Sequence, residues 1–269
     1  MPLPPCSLLI ATYNWPKALE LCLHTVLQQS VLPNEIIIAD DGSKPPTTEV
    51  IEQFTANSPV PVVHVWHPDA GFQLAQIRNK AFAKAQYNYV IQIDGDLLLH
   101  PHFIADHLAI AKPNHFVSGS RVLLSEKTTR FLLQQNTPFQ GVKTLGNDKN
   151  FFNGLRLPAI RNFLADKYKQ SGKNTYYVKG CNMAFWKNDL LAVNGYNEAF
   201  TGWGREDSEL AIRLINTGIK KRFLKMGGVS YHLWHKEASR DNEATNTAMM
   251  EKAIQEKHVW APKGINQYL

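Results

Sequence analysis

The chain has 269 residues, 44% of them hydrophobic and 19% charged, which is enough apolar material for a core without disulfide staples. Its 29 Lys and Arg against 23 Asp and Glu leave a formal charge of +6, too mild for a dedicated nucleic-acid binder, and Gly and Pro usage excludes collagen-like or low-complexity chains. Cys6, Cys22 and Cys181 are odd in number, far apart and without a C-x-x-C pair, so neither a disulfide framework nor a structural zinc site is expected. The first residues lack the basic and apolar regions of a signal peptide, and no run of about 18 apolar residues occurs, so a cytoplasmic protein is expected, in contact at most with a membrane surface.

Strand and helix signals alternate over the first hundred residues. Ser7–Thr12 reads as a buried strand, and Pro16–Gln29 as a helix opened by Pro16. Residues 34–40 contain Ile36-Ile37-Ile38-Ala39, a second strand broken by Asp40-Asp41-Gly42-Ser43. Residues 47–54 read as helix, 60–66 as strand, 73–85 as helix with Leu74, Ile77, Ala81, Phe82 and Ala85 on one face, and 89–93 as strand ending at Asp94-Gly95-Asp96. This order predicts βαβ units and a mostly parallel sheet, with ligands beyond the carboxyl ends of its strands. Thr12-Tyr13-Asn14, Asp40-Asp41 and Asp94-Gly95-Asp96 all fall there.

Residues 121–173 carry ten Lys and Arg against three acids, a net of +7. A solvated, loop-rich insertion is the preferred expectation, and a basic lip for a phosphorylated acceptor or an anionic membrane the sharper one. Beyond it, strands are expected at 175–178, 182–186, 221–224 and 229–233, and helices at 187–192, 206–216 and 242–257, with Gly218 stopping the second of these. No repeat or linker is visible, and one composite domain is expected.

Asp94 and Asp96, at i and i+2 of an extended segment, would point to one side and repel unless a hard divalent cation sits beside them; a plain acidic turn is the alternative. Asp40-Asp41-Gly42-Ser43 suits a turn with a helix cap, or a carboxylate that accepts from a base or a ribose. Gly202-Trp203-Gly204-Arg205-Glu206-Asp207 is the most informative stretch. An indole beside two carboxylates suits a sugar, and an acid at a helix N-terminus suits a general base. His232 and His235 are candidate metal ligands that cannot both face one way on an extended strand without a bend. Arg78 could pair with Asp94 or hold a diphosphate.

Together, Ala11-Thr12-Tyr13-Asn14, Ala39-Asp40-Asp41-Gly42-Ser43, Arg78-Asn79, Ile93-Asp94-Gly95-Asp96 and the Trp203 stretch resemble, in order, the motifs of inverting family 2 glycosyltransferases. The last also resembles β-1,4-galactosyltransferases and bacterial chondroitin polymerases. The resemblance runs from about Ser7 to Asn246. It implies an α/β GT-A fold in which residues 1–100 hold the nucleotide sugar and 101–269 the acceptor. It implies that Thr12, Tyr13 and Asn14 line the nucleotide pocket, Asp40 or Asp41 meets uracil, Arg78 faces the diphosphate, and Asp94 meets the ribose or a metal-bound water. Asp96 would bind Mn²⁺ or Mg²⁺ with His235, on the galactosyltransferase pattern, or with His232, on the chondroitin-polymerase pattern. Trp203, Gly204 and Glu206 would hold the acceptor and Asp207 would be the base. The implied partners are a UDP-sugar and a glycan or glycolipid at the inner face of a membrane, in surface polysaccharide or lipopolysaccharide synthesis. Arg205 departs from the galactosyltransferase glycine, and the basic segment has no counterpart. A glycoside hydrolase would need Glu206 and a second acid but leaves the N-terminal layout unexplained. The intact Asp96, Asp207 and histidines argue against a non-catalytic sugar-binding protein. A nucleotidyltransferase would need a Gly-rich loop where Ala11–Pro16 has none.

Overall fold

A computed structural model describes residues 3–135, 148–236 and 239–269. In chain order its strands and α-helices are β1 (Cys6–Thr12), α1 (Pro16–Leu27), β2 (Glu35–Asp40), α2 (Pro45–Asn57), β3 (Val62–Trp66), α3 (Leu74–Lys84), β4 (Tyr89–Asp94), β5 (Leu97–Leu99), α4 (Phe103–Ala109), β6 (His115–Ser118), β7 (Val122–Leu123) and α5 (Glu126–Gln134). There follow α6 (Pro158–Leu164), β8 (Asn182–Trp186), α7 (Lys187–Ala192), α8 (Glu206–Asn216), β9 (Lys220–Phe223), β10 (Ser230–His232) and α9 (Glu243–Gln255). Seven strands form one sheet in the order β3-β2-β1-β4-β8-β6-β9, and β5-β10-β7 form a small second sheet. Only β8 runs against its neighbours in the large sheet, so the expected mostly parallel α/β architecture is present.

Side-chain alternation along the strands builds the core on both faces. Leu8, Ile10, Ile36, Ile38, Ile91 and Ile93 pack with Leu19, Leu23 and Val26 of α1 and Phe103 and Ile104 of α4. Leu9, Ile37, Val90 and Phe185 pack on the other face with Ile77 and Phe82 of α3 and Leu210 and Leu214 of α8. Each fully buried Leu, Ile or Phe contributes about 1.5–3 kcal/mol, so strands buried on both faces rigidify the edge that carries the polar clusters. Proline opens α1 and α2, where its missing N–H costs nothing. Gly218, at φ +89°, ends α8 as expected.

Residues 175–178 do not form the expected strand. One ammonium takes their carbonyls: Lys221 Nζ donates to Asn174, Thr175 and Tyr177 at 2.7, 2.8 and 3.1 Å, which leaves no regular ladder. The basic segment is also more than a solvated loop. Arg156 and Arg161 both reach the fully buried Asp106 of α4, which also accepts from Gly228 N–H at 3.0 Å. Residues 136–147 of that segment lie outside the described residues. All three cysteines are buried free thiols. Among the described residues no helix is long and apolar enough to cross a membrane.

Candidate functional site

The carboxyl end of β1 gathers the three N-terminal polar clusters through main-chain bonds. Thr12 C=O accepts from Asp41 N–H at 3.0 Å, and Ala11 C=O from Gly95 N–H at 2.7 Å. Asn14, at φ +47°, receives Lys44 N–H on its side chain and gives its own N–H to Ser43 Oγ. Tyr13 is half exposed and donates to Asp69 at 2.9 Å. Asp40 has no exposed surface and holds the turn, accepting from Ser43 N–H at 2.8 Å with His64 at 3.1 Å. Asp41 is bound by His67 at 2.7 Å and Gln73 N–H at 3.0 Å, while burial pushes its carboxyl above the ordinary value. Only glycine fits at position 42: φ is +90°, and a Cβ there would lie 2.5 Å from Asp69 Cα.

Asp94 and Asp96 do not stay on one extended segment. β4 ends at Asp94, Gly95 and Asp96 form a turn, and the two carboxylates part. Asp94 pairs with Arg78 at 2.8 Å. Arg78 is 1% exposed and also meets Glu206 at 3.3 Å. Burial opposes its charge, yet Tyr196, Asp94, Glu206 and Asp207 around it hold the guanidinium above its ordinary value. Arg78 thus joins the carboxyl end of β4 to the N-terminus of α8.

Asp96 turns the other way. Leu233 N–H binds Asp96 C=O at 3.0 Å and draws the chain after β10 across it. The strand ends at His232, and both imidazoles face one carboxylate. Their Nε2 atoms lie 3.5 Å (His232) and 3.3 Å (His235) from Asp96 Oδ2, and the ligand atoms of all three residues fall within 4.8 Å of one another. Each Nδ1 lies against a main-chain carbonyl, Leu233 at 2.9 Å and Lys236 at 2.8 Å, which can only accept. Both Nδ1 atoms therefore carry hydrogen, and an imidazole in its neutral form would aim its Nε2 lone pair at the carboxylate. Only a proton or a metal cation reconciles those lone pairs. The hydrogen bond to Asp96 pushes His235 up to about 9, which is the proton's answer to the same demand. Asp96 Oδ1 is buried with no partner. A carboxylate with a free buried oxygen and two Nδ1-tethered imidazoles suits Mn²⁺, and the histidines suit Mg²⁺ less well.

The first turn of α8 carries Glu206, Asp207 and Glu209. Gly180 N–H binds Asp207 Oδ2 at 2.8 Å, and Ser208 N–H binds Oδ1 at 2.6 Å, which fixes the carboxylate. A Cβ on Gly180 would crowd Asp207 at 3.2 Å. Burial, reinforced by Asp207 and opposed by Arg78, raises Glu206 to about 7. Glu206 thus holds a proton for part of the time near neutral pH. Gly204 C=O accepts from Asn246 at 3.0 Å. Trp203 is 38% exposed, and the Arg240 guanidinium lies over one ring face, 4.8 Å from its centre. Arg205 sits at φ +77°, the left-handed region where glycine is favoured, and its side chain reaches Thr247 and Glu243 of α9.

The fold therefore brings Arg78, Asp94, Asp96, Glu206, Asp207, His232 and His235 together, and Asp40 stays in its turn. Sequence reasoning missed three supports. Arg121 donates to Cys181 Sγ at 3.0 Å, and its charge, opposed by burial, is favoured by Cys181, Asp94 and Asp96. Asn79 clamps the loop before α8, giving hydrogen bonds to Tyr196 C=O at 2.8 Å and Glu198 at 3.0 Å. Gln92 donates to Gly180 C=O at 2.6 Å. A polar residue on an otherwise apolar face, Asn79 on α3 or Gln92 on β4, was the available signal for two of them.

Comparison with known proteins gives the family and the fold. The profile described as glycosyl transferase family 2 matches residues 7–186, and one described as the N-terminal domain of galactosyltransferase matches residues 162–236. The chain is 28% identical over 255 residues to a chondroitin synthase of Escherichia coli, covering 90% of this chain and 36% of that protein. It is 28% identical over 260 residues to a validoxylamine A glucosyltransferase of Streptomyces hygroscopicus subsp. limoneus, covering 92% and 55%. The chain thus spans between about a third and about a half of the length of these relatives. A mannosyltransferase of Pyrobaculum calidifontis in complex with GDP-Man and Mn²⁺ superposes with a TM-score of 0.65 at 19% identity, over 95% of this chain and 65% of that one. S. aureus TarS 1–349 in complex with UDP gives 0.64 at 14% identity, over 98% and 68%. These two solved chains show the fold, that of GT-A glycosyltransferases.

Proposed function

The chain belongs to glycosyl transferase family 2, and from that premise we propose that it transfers a hexose or N-acetylhexosamine from a UDP-sugar to a hydroxyl of a glycan or glycolipid, with inversion at the anomeric carbon. The observation that carries this is the meeting of Asp96, His232 and His235 beside Arg78 and the fixed carboxylate of Asp207. Residues 1–100 would hold the nucleotide sugar and 101–269 the acceptor, in surface polysaccharide or lipopolysaccharide synthesis on the cytoplasmic side of a membrane.

Asp96, His232 and His235 would hold Mn²⁺ or, less well, Mg²⁺. When bound, the cation supplies positive charge against the donor's phosphates. The Asp207 carboxylate takes the proton of the acceptor hydroxyl as that oxygen attacks the anomeric carbon, while UDP leaves on the opposite side. One displacement inverts an α-linked donor to a β-glycoside. Arg78, permanently charged, faces the negative charge that builds on the leaving diphosphate. Glu206, protonated for part of the time at neutral pH, would in that form donate a hydrogen bond to an acceptor hydroxyl. The acceptor ring takes the face of Trp203 that Arg240 leaves open.

Thermal unfolding with UDP, with and without Mn²⁺, tests the proposal. A ligand that binds only the folded state stabilises by about 2.7 kcal/mol at a hundred times its dissociation constant. A Mn²⁺-dependent rise in Tm with UDP is expected, and Asp96→Ala should abolish it. No rise at saturating UDP and Mn²⁺ overturns the donor assignment.

A further inference from the structure

A cavity of about 280 Å³ lies on the side of the basic segment, near the low end of the about 300–1,000 Å³ usual for ligand sites. Its wall combines two ammonium groups, Lys169 and Lys225, with the rings of Tyr168, Tyr177, Phe152 and Phe223. Lys169 Nζ sits 3.5 Å from the Tyr177 ring centre, and Lys225 Nζ sits 5.8 Å from that of Tyr168 and donates to Asn153 at 2.6 Å. Neither lysine forms an ion pair with an acid among the described residues. The neighbouring cations are already used: Lys221 by three carbonyls and Arg222 by Asp166. Two like charges therefore share a half-enclosed space with no counter-anion. Lys225 is pushed below its ordinary value first by burial and then by Lys169. Aromatic rings beside the ammonium groups give the C–H face of a sugar something to lie on, which a bare phosphate does not need, and Ser120 and Asn150 add hydroxyl partners.

The cavity is joined to the carboxylate cluster at two points. Ser120 precedes Arg121, whose charge feels Asp94 and Asp96. Tyr177 lies three residues before Gly180, whose N–H fixes Asp207. Three extended residues span at most about 11 Å, so the neighbouring unit of a glycan engaged at Asp207 can reach the cavity.

We propose that the cavity between Lys169 and Lys225 is an acceptor subsite for an anionic sugar unit, one bearing a carboxylate or a phosphate. Its place as an acceptor subsite rests on the glycosyl-transfer reading above. The charge selectivity of the cavity does not, so it is measured without donor. Calorimetry would compare an oligosaccharide of hexosamine and glucuronic acid, the same oligosaccharide after carboxyl reduction, and a neutral hexosamine oligosaccharide carrying a 6-phosphate. Wild-type protein should bind at least one anionic form about ten-fold or more tighter than the reduced one, as one charge-assisted hydrogen bond dictates. Lys169→Gln and Lys225→Gln should each erase that preference. The carboxylate arm and the phosphate arm identify which anion the subsite takes. Equal binding of charged and neutral forms, or a preference that survives both substitutions, overturns the inference. The UDP and Mn²⁺ melting experiment on the same three proteins separates the two claims: its failure in wild type removes the donor assignment, and its persistence in both variants shows that they fold.

Discussion

Asp96 and Asp106 are ten positions apart, one partly and one fully buried, in histidine- and arginine-rich surroundings, and they are built for opposite ends. Asp106 is saturated: Arg156 donates to it from Nε and Nη2 at 2.9 Å, Arg161 from Nη1, and Gly228 from its main chain at 3.0 Å. Asp96 has one oxygen with no partner and the other facing two imidazole nitrogens. Asp96 keeps some exposed surface and Asp106 none, and the donor count differs with it. A carboxylate with every lone pair answered holds a chain in place, and one left short of donors is waiting for something else. The contrast extends to the neighbourhoods. The open cluster of Asp94, Asp96, Glu206 and Asp207 should lose chemistry when altered and keep its fold, and the closed cluster at Asp106 should lose the fold.

The largest effect expected on the open side is that of Asp207→Asn. The amide keeps one of the two main-chain N–H bonds and turns its NH2 toward the other, so the protein should lose about 1–3 kcal/mol of stability but still fold and bind UDP, while transfer should fall by up to about 10⁴-fold, some 5 kcal/mol of barrier. Near-normal transfer in the folded variant would remove Asp207 as the base. On the closed side, Asp106→Asn removes the counter-charge of two arginines, one of them buried, and should cost about 3–5 kcal/mol in denaturant unfolding. A loss below about 1 kcal/mol would show that the basic segment is not anchored there.

His107 sharpens the contrast through pH. It lies beside Asp106, fully buried, and burial pushes its imidazole down to about 4, although the Asn182 hydrogen bond works the other way. Between about 6.5 and 4 the unfolded chain binds the extra proton and the folded chain does not. Stability is therefore complete above pH 6.5 and falls by about 3 kcal/mol as the pH drops through that window. The difference in unfolding free energy between wild type and His107→Gln, measured across the window, should carry this slope; parallel curves would refute it. The smallest effect is that of Arg205→Gly, which relieves a left-handed residue but gives up contacts to Thr247 and Glu243. A gain of under about 1 kcal/mol is expected from the change in Tm.

Where a position is set by local periodicity it was legible in the sequence. Helix 206–216 and its stop at Gly218, the paired strands of residues 6–40, and the gathering of three polar clusters at strand ends all follow from spacing and turn chemistry. Long-range hydrogen bonding was not legible. The i, i+2 rule assumes an extended segment, and the turn at Gly95 sends Asp94 to Arg78 and Asp96 to the histidines. The two histidines meet at Asp96 where β10 ends and Leu233 N–H binds Asp96 C=O, a partner more than a hundred positions away. Residues 175–178 look β-prone, but Lys221 takes their carbonyls. The charge run at 121–173 suggested a solvated face because sequence shows no pairing, and its link to Asp106 exists only after folding.

Strands β6 and β8 pair through Val117 with Ala184 and Ser118 with Met183, and Gly119 N–H binds Asn182 C=O at 2.7 Å. The described residues between 120 and 181 therefore leave the large sheet and return to it where β6 and β8 meet. Closing a longer or shorter excursion there changes the free energy only with the logarithm of its length. The stretch is thus a splice in the frame: insertions or deletions between its anchors, β7 on β10, Arg156 and Arg161 on Asp106 and Gly180 on Asp207, should leave the register of the large sheet unchanged.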